Sequence, residues 1–250
     1  MKKLLLPLLL TLGCSPDFDN EYVQIADQYR DVPETVAPQS QNYGIVIVDM
    51  QRIYLYEMSK EEYNRENFVR PINWDSLRSF DEVLLDELST HVDGDELERE
   101  LENQKRVLEY AIEKDIPVLV FEMDMRGRTL PELRELIDQV PRHRYFTKFS
   151  RGGFLKHGMV PYPHTSEDDP RVWIREQGVE VLYHLGANTD YCVLSTAEAA
   201  VGEGFSVGTT ADVVMSSSCV DDCPSVNAAF MYFRNNGFFE LENKKIITSF

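Results

Sequence analysis

Short apolar runs alternate with amphipathic helical patterns along most of this chain, and this alternation constrains its fold more than any other feature. The runs are apolar at successive positions, which is typical of parallel strands covered by helices on both faces. They occupy residues 43–51, 116–123, 179–186, 205–214 and 244–249. The helical patterns occupy residues 95–115, 192–204 and 225–237. We therefore predict an α/β fold, a three-layer α/β/α sandwich around an open, mostly parallel sheet of about six strands.

The length of 250 residues suits one large domain with a terminal extension. We place the domain at residues 42–250, starting just before the first apolar run. Residues 53–94 are long for a single connection, so we expect an insertion with helices of its own that overhangs the functional site. Residues 15–41 are polar, contain prolines and lack a sustained periodicity. They are predicted to form a flexible tether.

The first 14 residues have the order of an export signal. Lys2 and Lys3 precede an apolar stretch at residues 4–12, which is too short to span a bilayer. Gly13 and Cys14 then resemble the end of a bacterial lipoprotein signal, in which the cysteine is lipidated. This resemblance implies an exported protein anchored to a bacterial membrane through Cys14. One alternative is an ordinary cleaved signal. The other is a mispredicted start with no signal, in which case the protein would be cytoplasmic.

The acidic balance limits the classes of partner. The chain has 43 aspartates and glutamates against 25 lysines and arginines, for a formal net charge of −18. Nucleic-acid binding is unfavourable for such a chain, because phosphates attract a basic surface. Attraction to anionic lipid by charge alone is also unfavourable. We therefore expect no nucleic-acid partner, and membrane contact only through the lipid anchor.

Candidate catalytic residues follow from the predicted sheet, because ligand sites in open α/β folds lie beyond the carboxyl ends of the strands. Cys192 lies where an apolar run turns into a helix, and a helix start favours a thiolate. Asp49 ends the first run and is a candidate base. Lys148 follows another short apolar stretch and is a candidate counter-charge. Taken alone, Cys192 would more often be a packed core residue, but the three together indicate a nucleophile.

Two further cysteines, Cys219 and Cys223, lie four positions apart in a polar segment. In an exported protein they could form a disulfide across a small loop. No histidine or additional cysteine lies close enough in sequence to complete a zinc site. We interpret the pair as structural or incidental.

Three segments together resemble the isochorismatase-like cysteine hydrolases. They are "IVIVDMQ" at 45–51, Lys148 placed six residues before Phe154, and "GANTDYCVLSTAEAAVGEGFSV" at 186–207. This superfamily includes nicotinamidases, N-carbamoylsarcosine amidases, ureidoacrylate hydrolases and biuret hydrolases. The resemblance covers about residues 43–250 and preserves the order Asp, Lys, Cys.

The resemblance implies a catalytic triad of Asp49, Lys148 and Cys192. Cys192 would attack a carbonyl carbon after Asp49 takes its proton, and Lys148 would keep Asp49 ionised and stabilise the thiolate. It further implies a cis peptide bond between Ala187 and Asn188. The backbone N–H groups of Asn188 and Cys192 would then form an oxyanion hole.

Departures from the family pattern narrow the expected reaction. Nicotinamidases carry a set of Asp and His metal ligands in the region that is here residues 121–136, which includes Asp124 but no histidine. We therefore expect no metal and no organic cofactor. Isochorismatases proper cleave a vinyl ether and often lack the cysteine, so Cys192 favours cleavage of a C–N bond in a small amide, carbamoyl or ureido compound. The alternatives are an inactive exported binding protein on this fold and an isochorismatase-type ether hydrolase.

Three residues are candidate substrate contacts. Arg151 is placed either to bind a substrate carboxylate or to point into solvent. The side-chain amide of Asn188 and the ring of Phe154 are the other two. Members of the superfamily often assemble as dimers or tetramers, so a homo-oligomer is also expected.

Overall fold

The computed structural model describes residues 32–38, 42–51, 94–123, 128–148, 151–154, 169–216 and 224–243, and the structural statements below refer to these residues. Several predictions lie outside this part of the chain. They concern the signal with Cys14, almost all of the insertion at 53–94, the pair Cys219 and Cys223, and the apolar run at 244–249.

Strands and helices alternate along the described chain, as their sequence periodicities predict. The strands are β1 (Tyr43–Val48), β2 (Val118–Met123), β3 (His143–Lys148), β4 (Val181–Ala187), β5 (Ser206–Thr210), β6 (Val214–Met215) and β7 (Gly237–Glu240). The α-helices are α1 (Gly94–Lys114), α2 (Pro131–Ile137), α3 (Pro170–Glu176), α4 (Leu194–Gly202) and α5 (Pro224–Asn236). None of the helices in these described ranges is both long enough and apolar enough to cross a membrane.

The sheet has seven strands in the order β3-β2-β1-β4-β5-β7, and β6 pairs with the end of β4. Every strand pairing is parallel. Helix α1 packs against α2, and α4 packs against α5, so helices flank the sheet. The predicted α/β fold with its mostly parallel sheet is confirmed.

The central strands explain why their sequences are apolar throughout. All residues of β1 and β4 are buried, and these strands pair with each other at the middle of the sheet. A strand covered on both faces has no position where a polar side chain reaches water. The central pair therefore places the carboxyl ends of β1 and β4 next to each other inside the fold.

The structure differs from the predicted strands at two places. The apolar run at 205–214 is interrupted by a 3₁₀ turn at Ala211–Val213, which separates β5 from β6. Within this turn the Asp212 carboxylate accepts hydrogen bonds from the Thr210 hydroxyl at 2.6 Å and from the backbone N–H of Asn243 at 3.0 Å. Such side-chain bonds compete with continued strand pairing. Strand β7 was not predicted, because it follows α5 without an intervening turn.

Part of the predicted tether lies against β7. The backbone N–H of Thr35 donates to the Phe239 carbonyl at 2.8 Å, and the N–H of Phe239 donates to the Thr35 hydroxyl at 2.8 Å. Val32 and Ala37 are buried at either end of this segment. Residues 32–38 thus attach to the domain beside β7, which lies at one edge of the described sheet, where an uncovered strand could pair with other chains.

Gly186 allows the close approach of β1 and β4 beside the predicted site. It pairs with Val48 and has a φ of 127°. A Cβ atom at this position would lie 2.0 Å from the Val48 carbonyl oxygen. No L side chain fits such a position, because both the backbone angle and the space exclude it.

We expect Gly186→Ala to lower the free energy of unfolding by about 2 kcal/mol or more. Gly202→Ala is the matched control, since a Cβ there meets nothing within 4 Å and the residue lies in α4. The control should stabilise the protein by up to about 1 kcal/mol. Urea unfolding of both variants tests this, and equal effects would contradict the proposed clash.

Candidate active site

The three predicted catalytic residues follow strands that end at the same edge of the sheet. Lys148 is the last residue of β3, Asp49 comes directly after β1, and Cys192 follows β4 after a short turn. At Asp49 the chain leaves the extended conformation with a φ of 52°, in a region that aspartate tolerates better than most residues. The structure brings all three side chains together.

Asp49 and Lys148 form a buried ion pair. The Nζ atom of Lys148 lies 2.7 Å from Oδ2 of Asp49, and the two side chains are 0% and 1% exposed. The same ammonium group donates a hydrogen bond to the Arg151 carbonyl at 3.1 Å. Two buried charges are tolerated only when they are paired and hydrogen-bonded, as these are.

Burial also sets the protonation state of the site. It raises the pKa of Asp49 above its usual value, although the charge of Lys148 and hydrogen bonds from Lys148, Cys192 and the Met123 backbone oppose this. Burial, together with the Asp49 charge, raises the pKa of the Cys192 thiol to about 12, against the opposing charge of Lys148. The helix start was expected to lower the pKa of the thiol and favour a thiolate, but burial outweighs this effect. Cys192 therefore rests as a thiol that contacts a carboxylate and an ammonium group.

The sequence pattern indicated that Cys192 begins a regular α-helix, but the structure differs. Residues Thr189–Val193 form a π-helical turn, and α4 begins only at Leu194. The backbone N–H of Val193 donates to the Asn188 carbonyl at 3.1 Å, across the wide turn. The Ala187–Asn188 peptide bond ahead of it is cis. π-Helical turns are frequent at functional sites.

Long-range hydrogen bonds to the carboxylate of Asp190 hold this turn in place. Its carboxylate oxygens accept from the hydroxyl of Ser216 at 2.8 Å and from that of Ser225 at 2.7 Å. Ser216 follows β6 and Ser225 lies in the first turn of α5. Asp190 thereby connects the turn to two elements that come later in the chain.

Thr196 connects the turn that carries Cys192, Thr189–Val193, to the segment after β3. Its hydroxyl donates to the Cys192 carbonyl at 2.7 Å and accepts from the backbone N–H of Gly153 at 3.0 Å. Gly153 lies so close to Phe121 that a Cβ would come within 2.4 Å of the ring. The sequence interpretation did not single out Thr196. The sequence did contain a signal for this role. A hydroxyl residue four positions after the cysteine lies on the same face of a helix and can bond to the cysteine's carbonyl.

Gln51 is a second residue that the sequence interpretation did not identify. Its side-chain amide donates to the Met123 carbonyl at 2.9 Å and accepts from the Met123 N–H at 2.7 Å. The side chain thereby continues the pairing of β1 with β2 past the end of the strands. Gln51 thereby fixes the backbone of Met123, which also hydrogen-bonds to Asp49.

The remaining predicted site residues are placed as follows. Phe154 is buried, and its ring packs against Phe121 and Phe205 at centroid distances of 5.0 and 6.3 Å. Arg151 is exposed, and its guanidinium carbon lies 3.6 Å from the centroid of the Tyr191 ring. Asp124 lies outside the described residues. Within the described ranges, no three His, Cys, Asp or Glu side chains are grouped so that they could hold a metal ion.

Comparison with known proteins agrees with this fold. The YcaC gene product of Escherichia coli, described as an octameric hydrolase of unknown specificity, is 15% identical, with a TM-score of 0.52 over 87% of this chain and 82% of that one. N-carbamoylsarcosine amidase of Thermoplasma acidophilum is 14% identical, with a TM-score of 0.50 over 80% and 95%. Pyrazinamidase/nicotinamidase of Streptococcus mutans is 15% identical, with a TM-score of 0.53 over 78% and 96%.

These likenesses concern the fold. No curated protein sequence matches the chain. The sequence model of the isochorismatase domain matches residues 89–237, which is more than half of the 250 residues. That range includes Lys148 and the whole segment around Cys192. This chain therefore belongs to the isochorismatase domain family.

Proposed function

We propose that this protein is a cysteine-dependent hydrolase that cleaves a C–N bond of a small amide, carbamoyl or ureido compound. The observation that carries the proposal is the buried pair of Asp49 and Lys148, 2.7 Å apart, in contact with the Cys192 thiol. Such a group supplies a nucleophile, a base and a counter-charge at one point. The lack of histidine at 121–136 supports a reaction without a bound metal.

The first half of the reaction forms a thioester. The Sγ atom of Cys192 attacks the carbonyl carbon while its proton passes to the Asp49 carboxylate. The C–N bond then breaks, and the amine or ammonia leaves with the proton from Asp49. Because burial raises the pKa of the thiol to about 12, the sulfur needs a base to take its proton, and Asp49 is in contact with it. Lys148 balances the negative charge throughout this step.

The second half releases the acid. Asp49 takes a proton from a water molecule, whose oxygen attacks the thioester carbon. The C–S bond breaks, and the proton on Asp49 returns to the departing sulfur, which restores the resting thiol. The proposed donors to the oxyanion in both halves are the backbone N–H groups of Asn188 and Cys192. The side-chain amide of Asn188 remains a candidate substrate contact.

A panel of primary amides, carbamoyl compounds and ureido acids tests the proposal. We expect release of ammonia or amine from at least one compound, and an acyl adduct on the peptide that contains Cys192 by mass spectrometry. Turnover of vinyl ethers without an adduct would indicate the ether hydrolase alternative. Binding of panel compounds without turnover or adduct would indicate an inactive binding protein.

We propose that the protein is exported and anchored to a bacterial membrane through Cys14. The support is the order of charged, apolar and small residues before that cysteine. We expect wild-type cells to incorporate labelled fatty acid into the protein, and Cys14→Ser to abolish this. Absence of label in the wild type, with the full chain recovered from the cytoplasm, would contradict the anchor.

The expected homo-oligomer is also a proposal. Its support is the description of the structurally similar YcaC gene product as octameric. Light scattering of the purified protein gives the number of chains directly.

A further inference from the structure

Arg151 places a cation beside the nucleophile turn. Its guanidinium lies over the ring of Tyr191, 3.6 Å from the centroid, and Tyr191 immediately precedes Cys192. The carbonyl of Arg151 accepts the hydrogen bond from Lys148, so the residue is also fixed to the triad through its backbone. No carboxylate among the described residues forms an ion pair with the guanidinium.

The carboxylates at this edge of the sheet have other partners. Asp49 is paired with Lys148, and Asp190 accepts from two serine hydroxyls. Glu122 accepts from Thr129 and from Arg134. The chain has a net charge of −18, and the exposed guanidinium of Arg151 has no carboxylate partner among the described residues. A cation over the ring of Tyr191, the residue before Cys192, is therefore available to an anionic ligand.

We infer that Arg151 binds an anionic group of the substrate, so the enzyme acts on small amide or carbamoyl compounds that carry a carboxylate. This inference rests on the proposed function, because it assigns the substrate class of the same site. The planar guanidinium donates two parallel hydrogen bonds to a carboxylate. Stacking on Tyr191 orients the guanidinium before binding and leaves its edge for the ligand.

Two alkylating reagents of similar size, iodoacetate and iodoacetamide, test the inference. In each reaction Sγ of Cys192 attacks the methylene carbon and iodide leaves, so the reagents differ in charge but not in chemistry. The rate constants are measured on the peptide that contains Cys192, which excludes the other cysteines. The quantity of interest is the ratio of the iodoacetate rate to the iodoacetamide rate.

We expect Arg151→Gln to lower this ratio by about tenfold or more, because a hydrogen-bonded charge pair is lost. Arg142→Gln is the control, since it removes the same charge from a partly exposed residue that pairs with Asp115 just before β3, at the opposite end of the strands. The control should keep the wild-type ratio. Hydrolysis of N-carbamoylglycine relative to its methyl ester should follow the same pattern.

The outcomes separate the two proposals. If Cys192 reacts with iodoacetamide in the wild type and in Arg151→Gln, and the ratio is the same in both, the role of Arg151 is wrong and the nucleophile stands. If instead Cys192 reacts with both reagents no faster in the wild type than in Asp49→Asn, Asp49 does not activate the thiol. The assignment of Cys192 as the nucleophile is then wrong, and the inference fails with it.

Discussion

Cys192→Ala is expected to reduce turnover of any amide substrate by about 10⁴-fold or more, since it removes the atom that forms the covalent intermediate. The acyl adduct should disappear with it. The fold should persist, because the variant removes one sulfur atom and leaves the pair of Asp49 and Lys148 intact. Ammonia release and intact mass are the measurements.

Cys192→Ser is the matched control for this prediction. Serine keeps a donor for Asp49 and nearly the same volume, but its hydroxyl is a much weaker nucleophile than a thiol. We expect it to be almost as inactive as the alanine variant, with thermal stability close to that of the wild type. Retention of wild-type turnover in either variant would rule out the thioester and leave Cys192 as a packed core residue.

Lys148→Met is expected to lower the free energy of unfolding by about 3–5 kcal/mol at pH 7, because the variant leaves the Asp49 carboxylate buried without its counter-charge. Lys105→Met is the matched control. Lys105 pairs with Glu102 on the surface of α1, and such pairs contribute about 1 kcal/mol or less. Urea unfolding gives both values, and equal losses would contradict the importance of the buried pair.

The pH dependence of Lys148→Met gives a second measurement. Burial already raises the pKa of Asp49, and removing Lys148 removes an interaction that lowers it, so the pKa rises further. A carboxyl group with a raised pKa in the folded state binds more protons there than in the unfolded chain. Stability therefore falls as pH rises from the usual aspartate value of 3.8 to the folded-state value. The loss relative to the wild type should shrink at low pH.

The double variant Asp49→Asn/Lys148→Met separates the charge from the packing. It lacks the titrating carboxylate, so its stability should recover in part and lose this pH dependence. For activity, the acid limb of kcat/KM in the wild type should lie above pH 3.8, where ordinary aspartates ionise. In Lys148→Met it should move to still higher pH.

The sequence predicted the parts of this molecule that depend on burial along a strand. The run that begins at residue 43 is apolar as far as Val48 because both faces of β1 are covered. Polar residues just after such apolar stretches marked the edge where Asp49 and Lys148 lie. These are local signals. They needed no knowledge of which strands are neighbours.

The features that the sequence did not predict depend on contacts between distant residues. The π-helical turn at Cys192 is held by Ser216 and Ser225, which lie 26 and 35 positions from Asp190. The raised pKa of the Cys192 thiol follows from burial, which outweighs the helix start visible in the sequence. The position of Arg151 on Tyr191 likewise joins residues that no periodic pattern relates.

The pairing of Val48 with Gly186 has a consequence for how such an enzyme can change. Asp49, the proposed base, directly follows Val48, and the turn that carries Cys192 begins shortly after Gly186. Their separation is therefore set by the spacing of adjacent strands, about 4.8 Å, which varies little between folded proteins. Residues outside this ladder, such as Arg151, can be exchanged while the reacting atoms keep their positions. Under the proposed mechanism, reactivity and substrate preference are thus encoded in different parts of the chain and can evolve separately.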